Sequence, residues 1–229
     1  MKNIITSAML GALLTVGSVA GAAAPAPGET YVYSVSNGYN KLTLGKAQYR
    51  VENVDGGRIA VSMTSDVPAL GAPRTAIYDA AGNWLKHDLT NQDHPVDYEF
   101  SPAYPAYDMP LKPGSSWSRR VNATNPVTGR RNSVRVDGRV VGTERITVPA
   151  GSFDTVKISR NVYAGDWGTF TFETNIFETE WYAPSIGRPV RAESWSEYLD
   201  TSRAIGGGIM AGPVIRGDWN VFELVSTSK

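Results

Sequence analysis

The chain has 229 residues, no cysteine, only two histidines, 41% hydrophobic residues and a formal net charge of zero. Those values exclude a disulfide-stapled miniprotein, a thiolate metal site and bulk disorder. They suit one globular domain with a core of its own.

Residues 1–24 (MKNIITSAMLGALLTVGSVAGAAA) carry a short basic start at Lys2, an apolar stretch from Ile4 to Val19 broken by Gly11 and Gly17, and a small-residue tail. That is the three-part pattern of a secretory signal peptide, with Ala20-Gly21-Ala22 as the cleavage site and residues 1–22 removed. An uncleaved anchor is disfavoured by the scattered Thr, Ser and Gly and by the lack of a basic stop signal. Without cysteine there is no lipoprotein cleavage box, so the mature protein is expected to be soluble, periplasmic or secreted, with no integral membrane span. Export and zero net charge together argue against a nucleic-acid partner.

Residues 23–30 (AAPAPGET) read as a flexible leader, and residues 31–229 as a single β domain. Val, Ile, Thr, Tyr, Phe and Trp recur in short runs between Gly, Pro, Asn and Asp, and no apolar period of 3.6 persists for three turns. The first strands fall at Tyr31 to Ser36, Asn40 to Val54, Arg58 to Thr64, Thr75 to Tyr78 and Trp84 to Asp88, followed by a Pro-broken stretch to Pro113. The later ones are Arg130 to Val136, Arg139 to Val148, Phe153 to Val162, Thr169 to Tyr182, Arg188 to Tyr198 and Trp219 to Val225. Turns are expected at Asp55-Gly56-Gly57, Asp79 to Asn83, Asp137-Gly138, Pro149 to Ser152, Gly165 to Gly168 and Ala183 to Gly187, where Gly and Asn accept positive φ. Phe170, Phe172, Thr174 and Ile176 share one face while Phe177, Thr179 and Trp181 resume on the other parity, which implies a bulge near Asn175. Connections this short make neighbours antiparallel, and about ten or eleven strands in one sheet must curl. The fold class is all-β, an antiparallel meander forming a half-barrel or a strongly bent, barrel-like sheet.

The segments GTERITVPAGSFDTVKISR (142–160), WYAPSIGRPVR (181–191), FELVS (222–226) and MPLKPGSSW (109–117) resemble a family of uncharacterised exported proteins of Gram-negative bacteria. Its members share a "VPAGxF" turn and strand, a "WYAPxxGxxVR" hairpin, a terminal "ELV" strand and a "PLxxGxxW" segment. The resemblance implies a lipoprotein-carrier-like half-barrel of the cell envelope with no established reaction, and it supplies no catalytic residue. The glycine-rich insertion Ala204 to Gly217 departs from the family pattern.

Little in the chain suggests catalysis. Ser152 in PAGSFD lacks the Gly-x-Ser-x-Gly elbow and its following helix, and the tetrapeptide reads as a turn. His87 and His94, near Asp88, Asp93 and Asp97, are seven residues apart with Pro95 beside them, and read as surface histidines rather than metal ligands. GGGIMA (206–211) matches a dinucleotide fingerprint in letters only, because no βαβ unit surrounds it. In 181–191, alternation sends Trp181 and Tyr182 to opposite faces, so that stretch reads as a hairpin rather than a site.

Binding residues are better represented. Tyr98, Phe100, Tyr104 and Tyr107 crowd among Pro102, Pro105 and Pro110, where they can cap a barrel end or display their rings. Arg119, Arg120, Arg130, Arg131, Arg135, Arg139 and Arg145 face only Asp137 and Glu144 in the same span, either as a solvated face or as a contact for lipid phosphates. The expected function is non-catalytic binding of an apolar or lipid-like ligand or of an envelope partner. The candidate ligand-binding residues are Tyr98, Tyr104, Tyr107, Trp117, Phe170, Phe172, Arg131 and Arg135, with no catalytic residue, metal or cofactor assigned. A hydrolase using Ser152 or a carboxylate pair, and a structural partner of an envelope complex, are the alternatives.

Overall fold

A computed structural model describes residues 25–89, 96–165, 171–200 and 213–229. The signal peptide, His94, the Gly165 to Gly168 turn, Phe170 and the glycine-rich insertion Ala204 to Gly217 are expectations that fall wholly or mainly outside those residues, although Val214 to Gly217 of the insertion are described and lie in a strand.

Among the described residues, twelve strands follow one another around a single barrel: β1 (Thr30–Asn37), β2 (Thr43–Asp55), β3 (Arg58–Ser65), β4 (Arg74–Asp79), β5 (Trp84–Asp88) and β6 (Asp97–Tyr104), then β7 (Ser116–Thr124), β8 (Arg131–Val148), β9 (Gly151–Gly165), β10 (Thr171–Ala183), β11 (Arg188–Asp200) and β12 (Val214–Ser228). Each pairs antiparallel with the next, and β1 pairs with β12, so the sheet closes. Of the two forms anticipated, this is the barrel. At its start, Gly28 N–H donates to Val51 O and Val51 N–H to Glu29 O, which ties the end of the expected leader to β2.

Two features overturn the strand reading. β6 and β7 lie where no strand was assigned, because Pro102, Pro105, Pro110 and Pro113 break the β pattern around them. Asp137-Gly138 is no turn, since β8 runs unbroken through it for 18 residues. Gly138 is there to admit Trp117 from β7, whose indole ring would lie 2.1 Å from a Cβ at that position.

Other local expectations hold. Register shifts immediately precede Asn175 in β10 against both neighbouring strands, which is the predicted bulge. Val148 and Gly151 pair across Pro149-Ala150, with Gly151 at φ 131. Gly187, at φ 66, closes the 183–187 turn by donating to Ala183 O.

Alternate connections of an antiparallel meander lie at the same end. The turns after β2, β4 and β10 and the loop after β6 therefore share one rim. At the opposite end a 3-10 turn, Pro68–Leu70, buries Leu70 against Val35, Ala47, Met63 and Val67.

Because Trp117 occupies the space a side chain at position 138 would need, Gly138→Ala should lower stability by about 1–3 kcal/mol. Gly142→Ala on the same strand, whose Cβ would meet no atom within 4 Å, should change it little. Equal urea midpoints for the two variants would contradict this packing.

Candidate functional site

In β9 the inward parity reads Val156, Ile158, Arg160, Val162, Ala164, so a guanidinium sits in an otherwise apolar row. Arg160 is only 1% exposed. Its Nε donates to Glu178 Oε2 at 2.6 Å, Nη2 pairs with Glu180 Oε1, and Nη1 donates to Ala106 O at 2.9 Å. The hydroxyls of Tyr104 and Tyr107 donate to Glu178 and Glu180 at 2.9 and 2.8 Å. Burial alone would lower the Arg160 pKa, but the two glutamates outweigh it and hold the group well above its ordinary value. Burial and then the adjacent carboxylates raise the Tyr104 and Tyr107 pKa values well above theirs.

A second ionic group links β4, β5 and β6. Arg74 pairs with Asp88, donates to Leu70 O at 2.6 Å and lies 3.7 Å from Asp97. His87 turns Nδ1 to Asp88 Oδ1 at 2.9 Å, and its ring stacks on Trp84 at 4.1 Å. Trp84 stacks on Tyr104 at the same distance, so the three rings connect the two ionic groups. His87 is therefore an interior residue rather than the surface histidine expected, and its placement follows from that stack. Burial acts to lower the His87 pKa, yet the hydrogen bond and charge of Asp88 raise it. Burial acts to raise Asp88, yet His87 and then Arg74 pull it below its ordinary value.

These groups border a cavity of about 520 Å³ that opens at the rim formed by Gly57, Ala80 to Gly82, Met109 and Gly187. Tyr33, Tyr49, Tyr78, Tyr107 and Tyr182 project into it, with Ile59, Val61, Leu70 and Phe222 supplying apolar wall. Arg188, at the first position of β11, also faces it. Its guanidinium lies 3.3 Å over the Tyr31 ring and beside the Tyr33 hydroxyl, and among the described residues no carboxylate is within ion-pairing distance of it.

The structure separates the expected site residues. Tyr107 lines the cavity. Tyr104 and Tyr98 lie in the core beside it, packed with Trp84, Phe100 and Val121. Trp117 is buried on Gly138 and donates its indole N–H to Pro105 O at 2.9 Å. Arg131 and Arg135 do not flank the mouth: both are on the outer face of β8, Arg135 lying 4.0 Å over Tyr163 and 3.2 Å from Asp137. Phe172 belongs to β10 opposite Leu199. Ser152 is a hairpin residue whose hydroxyl meets that of Thr147 at 2.8 Å. Trp181 and Tyr182 do part as expected, Trp181 donating to Glu144 and Tyr182 meeting Tyr107 inside. Among the described residues no group of three or more His, Asp or Glu is arranged to hold a metal ion.

Residues 104–198 match the model of the DUF3108-like family, a span that contains Arg160, Glu178, Glu180 and Arg188 as well as the VPAG and WYAP segments. No curated protein matches the chain. Among solved structures it is similar to a candidate lipoprotein of Parabacteroides distasonis, at 15% identity and a TM-score of 0.50 over 89% of this chain and 96% of that one. A candidate exported protein of Bacteroides fragilis with a YmcC-like fold aligns at 17% identity and a TM-score of 0.48, over 92% of this chain and all of that one (100%). The hypothetical lipoprotein YmcC of Escherichia coli aligns at 13% identity and a TM-score of 0.44, over 88% and 85%. The likeness to the Parabacteroides protein is one of fold.

Removing Arg160 leaves two buried carboxylates without their partner, so Arg160→Met should cost about 3–5 kcal/mol in urea unfolding. Adding Glu178→Gln and Glu180→Gln should recover much of that loss, and a triple variant no better than the single would contradict the network.

The His87 and Asp88 shifts predict a pH dependence. Stabilisation from His87 is complete below its unfolded value of 6.5 and is lost as pH rises through the higher folded value. Stabilisation from Asp88 is present above its unfolded value of 3.8 and is lost as pH falls through the lower folded value. The melting temperature should therefore fall on the alkaline side of 6.5, and His87→Gln should flatten that limb. An unchanged limb in the variant would disprove the assignment.

Proposed function

We propose that this is an exported protein of the cell envelope that holds an amphipathic acid, of the fatty-acid or lipid type, inside its barrel. One observation carries the reading. Of the three arginines that line the cavity, Arg74 and Arg160 are neutralised by carboxylates, while Arg188 at the mouth has no such partner among the described residues. An acidic head group would complete that pair as a charge-assisted, bidentate contact. The hydrocarbon would run inward along Ile59, Val61, Leu70 and Phe222. A volume of about 520 Å³ lies within the usual range for small-molecule sites.

Export is supported by the leader pattern and by the description of the Parabacteroides fold neighbour as a candidate lipoprotein. This sequence has no cysteine to carry the lipid anchor of a lipoprotein. A hydrolase has less support, since His87 is inside the cavity, Ser152 is exposed on a hairpin, and Glu178 and Glu180 are both engaged by Arg160.

Titration with a fluorescent fatty acid should show saturable, micromolar binding. Arg188→Ala should weaken it about tenfold, the scale of one charged contact, without changing the melting temperature. The methyl ester of the same probe should bind wild type and variant alike. Absence of saturable binding, or equal affinity of wild type and variant for the free acid, would refute the proposal.

A further inference from the structure

Along β7 the pairing on its β6 side stops short, so that β6 and β7 meet over part of their length only. These strands share only three residue pairs, Glu99 with Thr124, Phe100 with Ala123 and Ser101 with Asn122. On its other side β7 pairs with β8 over its whole length, from Ser116 to Thr124. Beyond Ser101 the chain reaches Pro102, which has no N–H to offer a ladder, and β6 shifts its register against β5. Ser116 to Val121 is thus a strand segment with a neighbour on one side only, among the described residues.

Alternation says which backbone groups face the open side. Val140 N–H donates to Ser115 O, so residues 115, 117, 119 and 121 direct their main-chain groups to β8. Ser118 and Arg120 direct theirs the other way, as Asn122 and Thr124 do where β6 is present to receive them. The Ser118 carbonyl accepts a hydrogen bond from Arg119 Nη1 at 3.0 Å, a side-chain donor standing where a neighbouring strand would supply a backbone N–H.

The surface beside this edge is cationic. Arg119, Arg120, Arg131 and Arg139 are exposed, and among the described residues none of them has a carboxylate within ion-pairing distance. Arg120 lies directly across from Arg135, a like-charge pairing that destabilises an isolated hairpin. Asp137, 3.2 Å from Arg135, is the one acidic residue of the paired segments Ser116–Thr124 and Arg131–Arg139. We infer that the Ser116 to Val121 edge of β7 docks an extended, acidic segment of a partner protein by strand addition. Its backbone would pair with Ser118 and Arg120, and its outward carboxylates would meet Arg120 and Arg139. A second copy of this chain is a poor occupant, because it would bring the same arginines to the same edge. The site is on the barrel's side wall and independent of Arg188, so its failure would leave the cavity reading untouched.

The test is fluorescence anisotropy with a labelled short peptide of alternating Glu and Val, added to the wild-type protein. Binding should saturate, and replacing each Glu by Lys in the peptide should abolish it. N-methylation of the peptide on alternate residues, which removes ladder donors without changing charge, should also abolish it. Arg120→Glu with Arg139→Glu, checked for an unchanged melting temperature, should weaken it at least about tenfold. Equal binding by the methylated peptide would overturn strand addition, and equal binding by the charge-reversed protein would overturn the assigned edge. Binding to phosphatidylglycerol vesicles with none to the peptide would overturn the proposal in favour of a lipid surface.

Discussion

Twelve strands closed around one axis enclose more space than side chains readily fill. Eight strands already leave an interior just wide enough for side chains or one small ligand. Here the width is met with rings: Tyr33, Tyr49, Tyr78, Trp84, Tyr104, Tyr107 and Tyr182 all project inward. Rings with hydroxyls bring a second requirement, since a buried phenol needs an acceptor. Glu178 and Glu180 accept from Tyr104 and Tyr107, and two buried carboxylates require a buried cation in turn. Arg160 supplies it, and its remaining donor is used by Ala106 O. Barrel width thus leads by steps to the ionic interior, and the space the rings leave over is the cavity.

The three cavity arginines divide by depth. Arg160 and Arg74 are held by carboxylates far enough inside that losing a partner would leave an uncompensated charge. Arg188 is half-buried at the rim, where water and the face of Tyr31 share its solvation. The Tyr31 pKa is pushed up to about 12, by burial first and then by its hydrogen bond to Glu29, with Arg188 acting the other way. A cation in that position can take an anionic ligand without first giving up a carboxylate.

Most strands were legible because half-buried strands alternate, and β1 to β5 and β9 to β12 do so between clear Gly, Asn and Asp turns. β6 was hidden by Pro102, a residue that reads as a break and serves here as the place where the strand leaves its neighbour. Gly138 misled for a related reason: after Asp it resembles a turn, but what needs the glycine is Trp117 on the next strand, a contact that local sequence cannot display. Among the cavity-lining residues, Tyr107 stands out in the sequence by its aromatic, proline-rich surroundings. Arg131 and Arg135 stand out in the sequence by charge density, which marks the outer wall. Arg160 carried a signal that went unread, its position on the parity of Val156, Ile158 and Val162. Arg188 lies in the 181–191 stretch that reads as a hairpin rather than a site; the hairpin is there, yet its Tyr182 and Arg188 also line the cavity, because the closure of β11 onto the rim aims Arg188 inward.

The most direct measurement is native mass spectrometry of the protein isolated from its native host without detergent exchange, followed by denaturing extraction of whatever it carries. A protein of this construction should fly with one added mass, and the extract should contain an acidic amphiphile of the size the cavity admits. A spectrum showing only the unliganded mass, together with a crystal structure in which the cavity holds ordered water alone, would contradict it.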